Sequence, residues 1–374
     1  VNYKEKPDVG TFMREWLSLY DSKSGERGVY SSMSAQRHTE KLNIQRKNKD
    51  GTYVQRRVAK EDFGTNPCSE IILRSREFCN LSEVVIRRED TRESLKEKVR
   101  TAAILGTFQS TLTNFRYLSR EWKKNCDEER LLGVSLTGIM DSPLTNGSKK
   151  GLDKLLEELR TVAYETNKEW ADKLGIPVSA AITCVKPSGT VSQLVDSASG
   201  IHARHNPYYI RTVRADNKDP LCKLMKNMGF PNEVDVTKPE HTTVFSFPMK
   251  TPKGAVCRMD MTALEQLELW KVYAESWCEH KPSVTISVKE DEWVEVAAWV
   301  YDHFDSISGI SFLPFSEHAY RQAPYQDCTE EEYKETVKTM PKNVDWAKLS
   351  KYESQDYTIA SQEMACTAGG CEII

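Results

Sequence analysis

The segment Asn66-Pro67-Cys68-Ser69-Glu70 carries an amide, a thiol and a carboxylate at alternate positions. In an extended segment alternate side chains project from one face, so Asn66, Cys68 and Glu70 are expected to project together. Pro67 cannot donate to a strand ladder, which favours a loop over a central strand. Such a group could form a reaction centre, with the thiol as nucleophile or hydrogen-atom donor, the carboxylate as general base and the amide orienting a hydroxyl. A turn around a buried cysteine is the simpler alternative.

Three further cysteines could take part in thiol chemistry. Cys79 follows eleven positions after Cys68, and its simpler interpretation is a core-facing residue at the start of a strand. Cys366 and Cys371 form a C-x4-C pair in a small, polar segment near the end of the chain. A dithiol on a mobile tail can exchange with a disulfide in a site and then be reduced outside it. A zinc site is disfavoured because no second cysteine pair of suitable spacing supplies the remaining ligands.

A candidate phosphate-binding segment follows the apolar run 178–185. A strand, a turn rich in Ser, Gly and Thr, and a helix start together present free backbone N–H groups to an anion, and the hydroxyls add donors. The Walker A pattern is absent, and an ordinary capped helix is the alternative. The candidate residues are Pro187, Ser188, Gly189, Thr190 and Val191, directly after Lys186.

The pattern of apolar residues predicts an α/β fold. Helices are predicted near 151–174, 262–279 and 291–304, with Gly175 ending the first of them. Strands are predicted at 178–185, 242–248, 283–288 and 310–314. Strands that alternate with helices indicate parallel pairing.

Composition and charge exclude several classes of protein. The 374 residues are 39% hydrophobic and 29% charged, with a formal net charge of −3, so we expect a globular protein that is not a nucleic-acid wrapper. There is neither an apolar run of about 18 residues nor a secretory signal core, so we expect a cytoplasmic protein without a membrane partner. His202 and His205 have no evident third ligand, so no metal site is predicted.

Together these segments resemble the large catalytic chain of ribonucleotide reductases. The motifs occur in family order and cover the chain from about residue 20 to its end. They are N-P-C-S-E at 66–70, F-C-N-L-S at 78–82, G-V-S-L-T-G-I-M-D at 133–141, K-P-S-G-T-V-S-Q-L at 186–194, S-F-L-P at 311–314 and the C-terminal C-x4-C.

The resemblance implies a role for each residue of the first constellation. Cys68 corresponds to the thiyl-radical residue that takes the 3′ hydrogen of the ribose. Glu70 would take the proton of the 3′-hydroxyl, and Asn66 would hold the substrate hydroxyls. Loss of the 2′-hydroxyl as water requires two electrons from a cysteine pair, of which Cys79 would be one member.

The resemblance also implies partners and an architecture. Cys366 and Cys371 would re-reduce the active-site pair and then be reduced by thioredoxin or a similar dithiol, while the segment 187–191 would hold the substrate phosphates. The implied fold is half of a ten-stranded α/β barrel, with a finger loop at about 64–80 that carries Cys68. The implied organisation is a barrel region at 1–325, a helical extension at 326–360 and a flexible redox-active tail at 361–374.

The subclass is indicated by what the chain lacks. It has no R-V-x-G-Y type glycyl-radical motif, and the adjacent Tyr-Tyr pair expected late in chains that use a separate radical subunit is missing from 315–365. The short step from Cys68 to Cys79 also resembles the class II enzymes. The resemblance therefore implies adenosylcobalamin as cofactor, although the D-x-H-x-x-G cobalamin signature is absent.

One departure from the family pattern concerns completeness. The family needs a second active-site cysteine upstream of the radical cysteine, and no cysteine precedes Cys68 here. The chain thus resembles the C-terminal half of a reductase that needs its N-terminal half and is inactive alone. Two alternatives stay open: a class I chain with a separate radical subunit, and a non-catalytic nucleotide-binding remnant. Di- and triphosphate substrates are equally compatible with these residues.

Overall fold

The computed structural model describes residues 2–25, 28–45, 56–315, 321–353, 364–367 and 370–373. The chain forms two compact units. The first comprises Val1–Arg204 and Gly254–Pro314, and the second comprises His205–Lys253 and Phe315–Ile374. The region 1–325, which the sequence assigned to a single barrel segment, therefore contributes to both units.

The helices and strands of the described residues follow in chain order. The α-helices are α1 (Val9–Ser22), α2 (Ser32–Gln45), α3 (Arg92–Gln109), α4 (Arg120–Glu129), α5 (Leu152–Leu174), α6 (Val191–Leu194), α7 (Pro220–Asn227), α8 (Ala263–Ser276), α9 (Trp293–Asp302) and α10 (Glu330–Thr339). The strands are β1 (Asn2–Tyr3), β2 (Gly28–Ser31), β3 (Gly64–Thr65), β4 (Ile72–Leu73), β5 (Asn80–Val85), β6 (Leu132–Thr137), β7 (Thr183–Cys184), β8 (Tyr208–Asp216), β9 (Asn232–Val234), β10 (Thr242–Lys250), β11 (Thr285–Val288), β12 (Gly309–Pro314), β13 (Tyr325–Asp327), β14 (Met364–Thr367) and β15 (Gly370–Ile373).

Parallel strands joined through helices dominate the first unit, as the alternating pattern predicted. One sheet has the order β5-β6-β7, with both neighbouring pairs parallel. A second sheet has the order β1-β2-β12-β11, in which β11 and β12 are parallel across α9. Every residue of β6 is buried, as expected for a strand covered on both faces. The helix α3 packs on β5, β6 and α5, and their apolar residues belong to one core.

Local capping residues set several helix ends in this unit. Thr91 and Thr262 each form a capping box at the start of α3 and α8. Gly175 adopts a left-handed conformation, with φ of 65°, and ends α5 as predicted. The strand predicted at 178–185 is shorter, because only 183–184 form ladder pairs with β6. Its earlier part still accepts two hydrogen bonds from β6, at Ala181 and Ile182.

The second unit is built on an antiparallel sheet, which the sequence did not predict. Its order is β13-β8-β10-β9, and β8 pairs with β10 from Tyr208↔Lys250 to Asp216↔Thr242. The strand predicted at 242–248 exists, but its expected parallel pairing is wrong. Cys222, Phe230 and Phe245 form the buried cluster that holds α7 against this sheet.

The C-terminal cysteines lie in a two-stranded antiparallel hairpin formed by β14 and β15. Cys366 is opposite Cys371 in its register. No helix among the described residues is both long and apolar enough to cross a membrane.

Candidate functional site

The loop that carries Cys68 connects β3 to β4. These short strands pair antiparallel, with Gly64 opposite Leu73. Asn66 closes the loop at its base: its Oδ1 accepts a hydrogen bond of 3.0 Å from the backbone N–H of Ile71. Its carbonyl accepts a second bond, of 2.9 Å, from the N–H of Ser69. The side-chain amide nitrogen of Asn66 has no partner among the described residues, so it is left for a ligand.

The expected alternation of Asn66, Cys68 and Glu70 on one extended face is wrong, because the loop turns between them. Ser69 adopts a left-handed conformation with φ of 65°. As a result Cys68 is exposed, whereas the neighbouring Glu70 has no exposed surface.

Lys186 brings Cys68 and Glu70 together. Its Nζ lies 3.2 Å from Oε1 of Glu70, and it also interacts with the thiol of Cys68. Burial alone would lower the pKa of Lys186, but the Glu70 carboxylate and the Cys68 thiol raise it above its ordinary value. The ammonium group is therefore a fixed positive charge at neutral pH.

The second oxygen of Glu70 is the most informative atom of the site. Oε2 is buried and has no hydrogen-bond partner among the residues that the structure describes. Buried polar atoms in native proteins almost always have partners, and an unpartnered acceptor is costly. A carboxylate oxygen held in this way next to a thiol is suited to accept a proton from a bound molecule.

Cys79 immediately precedes β5, and its thiol is within electrostatic range of the Glu70 carboxylate. A Cβ placed on Gly133 of β6 would lie 3.2 Å from the Cys79 sulfur, so the thiol sits directly over this strand. Burial raises the pKa of Cys79 well above its ordinary value, and the carboxylates of Glu70 and Glu77 add to the effect. Cys79 is therefore a protonated thiol at neutral pH.

The predicted phosphate segment begins at the same site. Lys186 immediately precedes it, and Ser188 is buried with φ of 56°. The pKa of the nearby Glu83 is raised above its ordinary value, because the effect of burial exceeds the opposite effects of Ser188 and Lys186. The exposed residues Gly189 and Thr190 follow, and α6 then begins at Val191, as predicted.

A cavity of about 390 Å³ adjoins the Cys68 loop. The loop contributes Thr65, Pro67 and Ser69 to its wall. The rest of the lining combines aromatic side chains with polar groups, among them Trp16, Tyr30, Glu15 and Ser311. Such a mixture suits a flat organic group with a few hydrogen-bonding atoms.

Sequence reasoning missed two lysines. Lys186 was visible only as a neighbour of the phosphate segment, and its contact with Glu70 joins residues 116 positions apart. Lys281 contacts Ser69 across 212 positions and carried no sequence signal at all. Cys366 and Cys371 belong to the second unit, whereas Cys68, Glu70 and both lysines belong to the first.

Comparisons with known proteins agree with the resemblance. An adenosylcobalamin-dependent ribonucleoside-triphosphate reductase of Euglena gracilis is 29% identical over 284 residues, which is 75% of this chain. The enzymes of Lactobacillus gasseri and Lactobacillus leichmannii, which carry the same name, are each 27% identical, over 87% and 83% of this chain. The chain is homologous to the adenosylcobalamin-dependent ribonucleotide reductases. No family model matches it.

A crystal structure of the B12-dependent, class II ribonucleotide reductase has the same fold. The TM-score is 0.75 at 23% identity, over 92% of this chain and 50% of that one. The relatives therefore support the class II interpretation and not the class I alternative. The chain spans 38%, 47% and 45% of the Euglena, L. gasseri and L. leichmannii reductases, about half of their length or less.

Proposed function

We propose that this chain supplies the catalytic half of an adenosylcobalamin-dependent ribonucleotide reductase. It would form half of the ten-stranded barrel, with the loop at about 64–80 as the finger. The observation that carries the proposal is Glu70: one carboxylate oxygen is tied to Lys186 beside Cys68, and the other is buried with no hydrogen-bond partner in the described part of the chain. A ribose hydroxyl would supply the missing donor.

In this proposal Cys68 and Glu70 act on the same carbon of the ribose. The Cys68 sulfur, as a thiyl radical, takes the 3′ hydrogen atom and becomes a thiol, while Oε2 of Glu70 accepts the proton of the 3′-hydroxyl. Lys186 holds the buried Glu70 in place and balances its charge. The amide nitrogen of Asn66, at the base of the same loop, would orient the substrate hydroxyls.

The reduction needs two electrons, which would come from two thiols. The 2′-hydroxyl leaves as water, and the two thiols join as a disulfide. Cys79 is one of them. Its raised pKa keeps the sulfur protonated, and this step consumes that proton. No cysteine precedes Cys68 in the sequence, so the second thiol would come from the N-terminal half of the reductase.

The segment 187–191 is proposed to hold the substrate phosphates. Its exposed residues, Gly189 and Thr190, follow Lys186 at the edge of the site. Backbone N–H groups at such a turn attract phosphate oxygens. The segment suits a ribonucleoside triphosphate, the substrate for which the relatives are named, and equally a diphosphate.

The cavity beside the loop offers a place for part of adenosylcobalamin. Its volume of about 390 Å³ and its aromatic and polar lining fit an adenosyl-sized group, whereas the corrin ring would have to lie outside it. Tyr30 and Trp16 would contact the flat base, and Ser69 and Ser311 would bond its polar atoms. When bound, the cofactor would supply the acceptor for the hydrogen atom of the Cys68 thiol.

The tail cysteines are proposed to restore the reduced state, with thioredoxin or a similar cytoplasmic dithiol as the final donor. Cys366 and Cys371 are opposite each other in the hairpin. Directly opposed residues of antiparallel strands have Cα atoms about 4.5–5.5 Å apart, a separation that a disulfide tolerates. This backbone separation would allow Cys366 and Cys371 to alternate between two thiols and a disulfide.

Complementation tests the proposal. The purified chain is mixed with the N-terminal half of a Lactobacillus relative, and deoxynucleotide formation is measured with a small dithiol. We expect turnover only when both the second half and adenosylcobalamin are present. Turnover by the chain alone would contradict the proposal, and turnover that requires an iron or manganese radical subunit would overturn the cofactor assignment. Nucleotide binding without turnover in the complete mixture would support the non-catalytic alternative.

A further inference from the structure

The residues just before β11 hold the Cys68 loop at three successive positions. Ser283 Oγ donates a hydrogen bond of 2.6 Å to the carbonyl of Cys68. The side-chain amine of Lys281 donates a bond of 3.0 Å to Oγ of Ser69. The backbone N–H of Lys281 donates a bond of 3.2 Å to the carbonyl of Glu70. Three consecutive loop residues are thus fixed by one short segment.

The amine of Lys281 is unusually placed for a lysine. The residue is 2% exposed, and no carboxylate of the described residues lies within ion-pair distance of its Nζ. Its surroundings are the hydroxyl of Ser69, the ring of Tyr30 with its centroid 5.3 Å away, and Gly309. A Cβ at Gly309 would overlap the amine, so glycine at this position leaves the room that Nζ occupies.

We propose that Lys281 is a positioning residue for the Cys68 loop. Its amine, confined between Ser69 and Gly309, holds Ser69 in the left-handed conformation and thereby fixes the Glu70 carboxylate relative to the Cys68 sulfur. The catalytic meaning of this arrangement rests on the proposed function, but the arrangement itself can be tested without turnover.

Lys281 is expected to gain or lose its charge near neutral pH. Burial lowers its pKa to about 7, and the Glu70 carboxylate opposes this effect in part. Tyr30, whose pKa burial raises to about 12, faces the amine with its ring, and Glu70 also pairs with Lys186, whose pKa is raised. Below pH 7 the charged amine is a stronger donor to Ser69 and attracts Glu70, and above pH 7 that charge is lost. The loop should therefore respond to pH near neutrality.

A fluorine label on Cys68 can detect this response. Cys68 in the full 374-residue chain is alkylated with a trifluoromethyl reagent, which prevents the thiol from titrating. The fluorine resonance of this label is the one that is missing from the spectrum of labelled Cys68→Ser. We expect the chemical shift to change with a midpoint near pH 7. Lys281→Met should abolish this midpoint. Ser283→Ala, which loses a bond to the same loop but keeps the amine, should retain it.

Hydrogen exchange provides a second measurement. Lys281→Met should accelerate amide exchange in residues 66–71 by roughly five- to tenfold, the effect of one lost hydrogen bond, and leave α5 unchanged. Gly309→Ala should displace the amine and give the same acceleration, and the double variant should add nothing further. Equal exchange in the variant and the natural chain, or additive effects, would overturn the proposal.

Two further outcomes are informative. A midpoint near pH 7 that survives in Lys281→Met would assign the titration to another group and end the proposal. If Lys281→Met is insoluble, Ser69→Ala provides the test, because it removes the hydrogen-bond acceptor of Lys281 at a less buried position. Ser69→Ala should reduce the amplitude of the titration. An unchanged amplitude would count against the role of Lys281. None of these results depends on turnover, so failure of the proposed activity would remain distinguishable.

Discussion

Two buried carboxylates of the first unit, Glu70 and Asp141, are partnered in opposite ways. Both oxygens of Asp141 are occupied: Arg204 donates to them at 2.8 and 2.9 Å, and the backbone N–H of Ala198 donates a third bond of 2.8 Å. Glu70 has one bond, to the partly exposed Lys186, and a second oxygen with none among the described residues.

The difference separates a structural charge from a reactive one. Burying a charge is expensive unless hydrogen bonds and a counter-charge compensate for it, and Asp141 has both. Its bonds fasten the chain around Ala198 and Arg204 to the short turn that follows β6. Glu70 is only half compensated, so the folded protein maintains an unused acceptor beside a thiol. An unsatisfied buried oxygen is what a ligand can satisfy, and this is why we propose Glu70 rather than Asp141 as the group that meets the substrate.

The sharpest test of this comparison is Glu70→Gln in the complemented reductase. The amide keeps the volume but cannot take a proton, so turnover should fall by roughly 10²–10⁴-fold, the range that general-base catalysis contributes. Stability should change by no more than about 1 kcal/mol, because Lys186 can turn its ammonium group towards water. Turnover is measured as deoxynucleotide formed per folded protein. Undiminished turnover would remove Glu70 from the mechanism.

Asp141→Asn should show the reverse pattern. The substitution leaves the buried Arg204 without its bidentate partner, which should lower the free energy of unfolding by about 3–5 kcal/mol. Turnover per folded molecule should be nearly unchanged, since Asp141 has no oxygen free for a substrate. Urea unfolding measures the first quantity. The exposed Asp172→Asn is the control and should stay within about 0.5 kcal/mol.

The two thiols beside Glu70 should also differ. Cys68 is exposed, whereas Cys79 lies over β6 with a raised pKa. Because the thiolate is the reactive form, iodoacetamide at pH 7.5 should modify Cys68 about a hundredfold faster than Cys79. The Cys79 rate should still be rising at pH 9, since more thiolate forms there. Mass spectrometry of the two peptides gives both rates, and equal rates at pH 7.5 would contradict this difference.

Adding the N-terminal half extends the same experiment. The finger-loop assignment predicts that the completed barrel shields Cys68 from reagents, so its alkylation should slow. Cys184, which has no exposed surface, is the internal control and should react only on unfolding.

Local features of the sequence predicted local features of the structure. The 3.6-residue spacing and Gly175 predicted α5 almost to its ends, since periodicity and a left-handed cap act within a few residues. The same reasoning failed for the strand at 208–216, whose pairing partner lies in a distant segment of the second unit. The alternation expected of Asn66, Cys68 and Glu70 failed because the left-handed Ser69 reverses the chain between them.

The site was predictable only as far as its motifs extend. The segments around Cys68 and Ser188 were identified because their residue types are close together in the sequence. The lysines that hold Glu70 and Ser69 lie 116 and 212 positions away, and no spacing rule connects such residues. Only the fold brings them together, and a lysine alone in the sequence looks like any solvated surface residue.

The smallest expected effect concerns the strand beneath Cys79. A Cβ at Gly133 would lie 2.5 Å from Leu81, 3.0 Å from Ile71 and 3.2 Å from the Cys79 sulfur. Gly133→Ala should therefore lower the free energy of unfolding by about 1–3 kcal/mol, the usual cost of overpacking. It should also change the alkylation rate of Cys79, because the sulfur must move.

Gly64→Ala is the matched control, since no atom lies within 4 Å of the added Cβ. It belongs to β3, at the base of the Cys68 loop, and its φ needs no glycine, so alanine should be neutral or stabilising by up to about 1 kcal/mol. Thermal unfolding and peptide alkylation measure both variants. If Gly133→Ala is as stable as Gly64→Ala and leaves Cys79 reactivity unchanged, Cys79 does not lie over this strand. Its place beside Glu70, and with it the pairing of a protonated thiol with an unpartnered carboxylate, would then have to be abandoned.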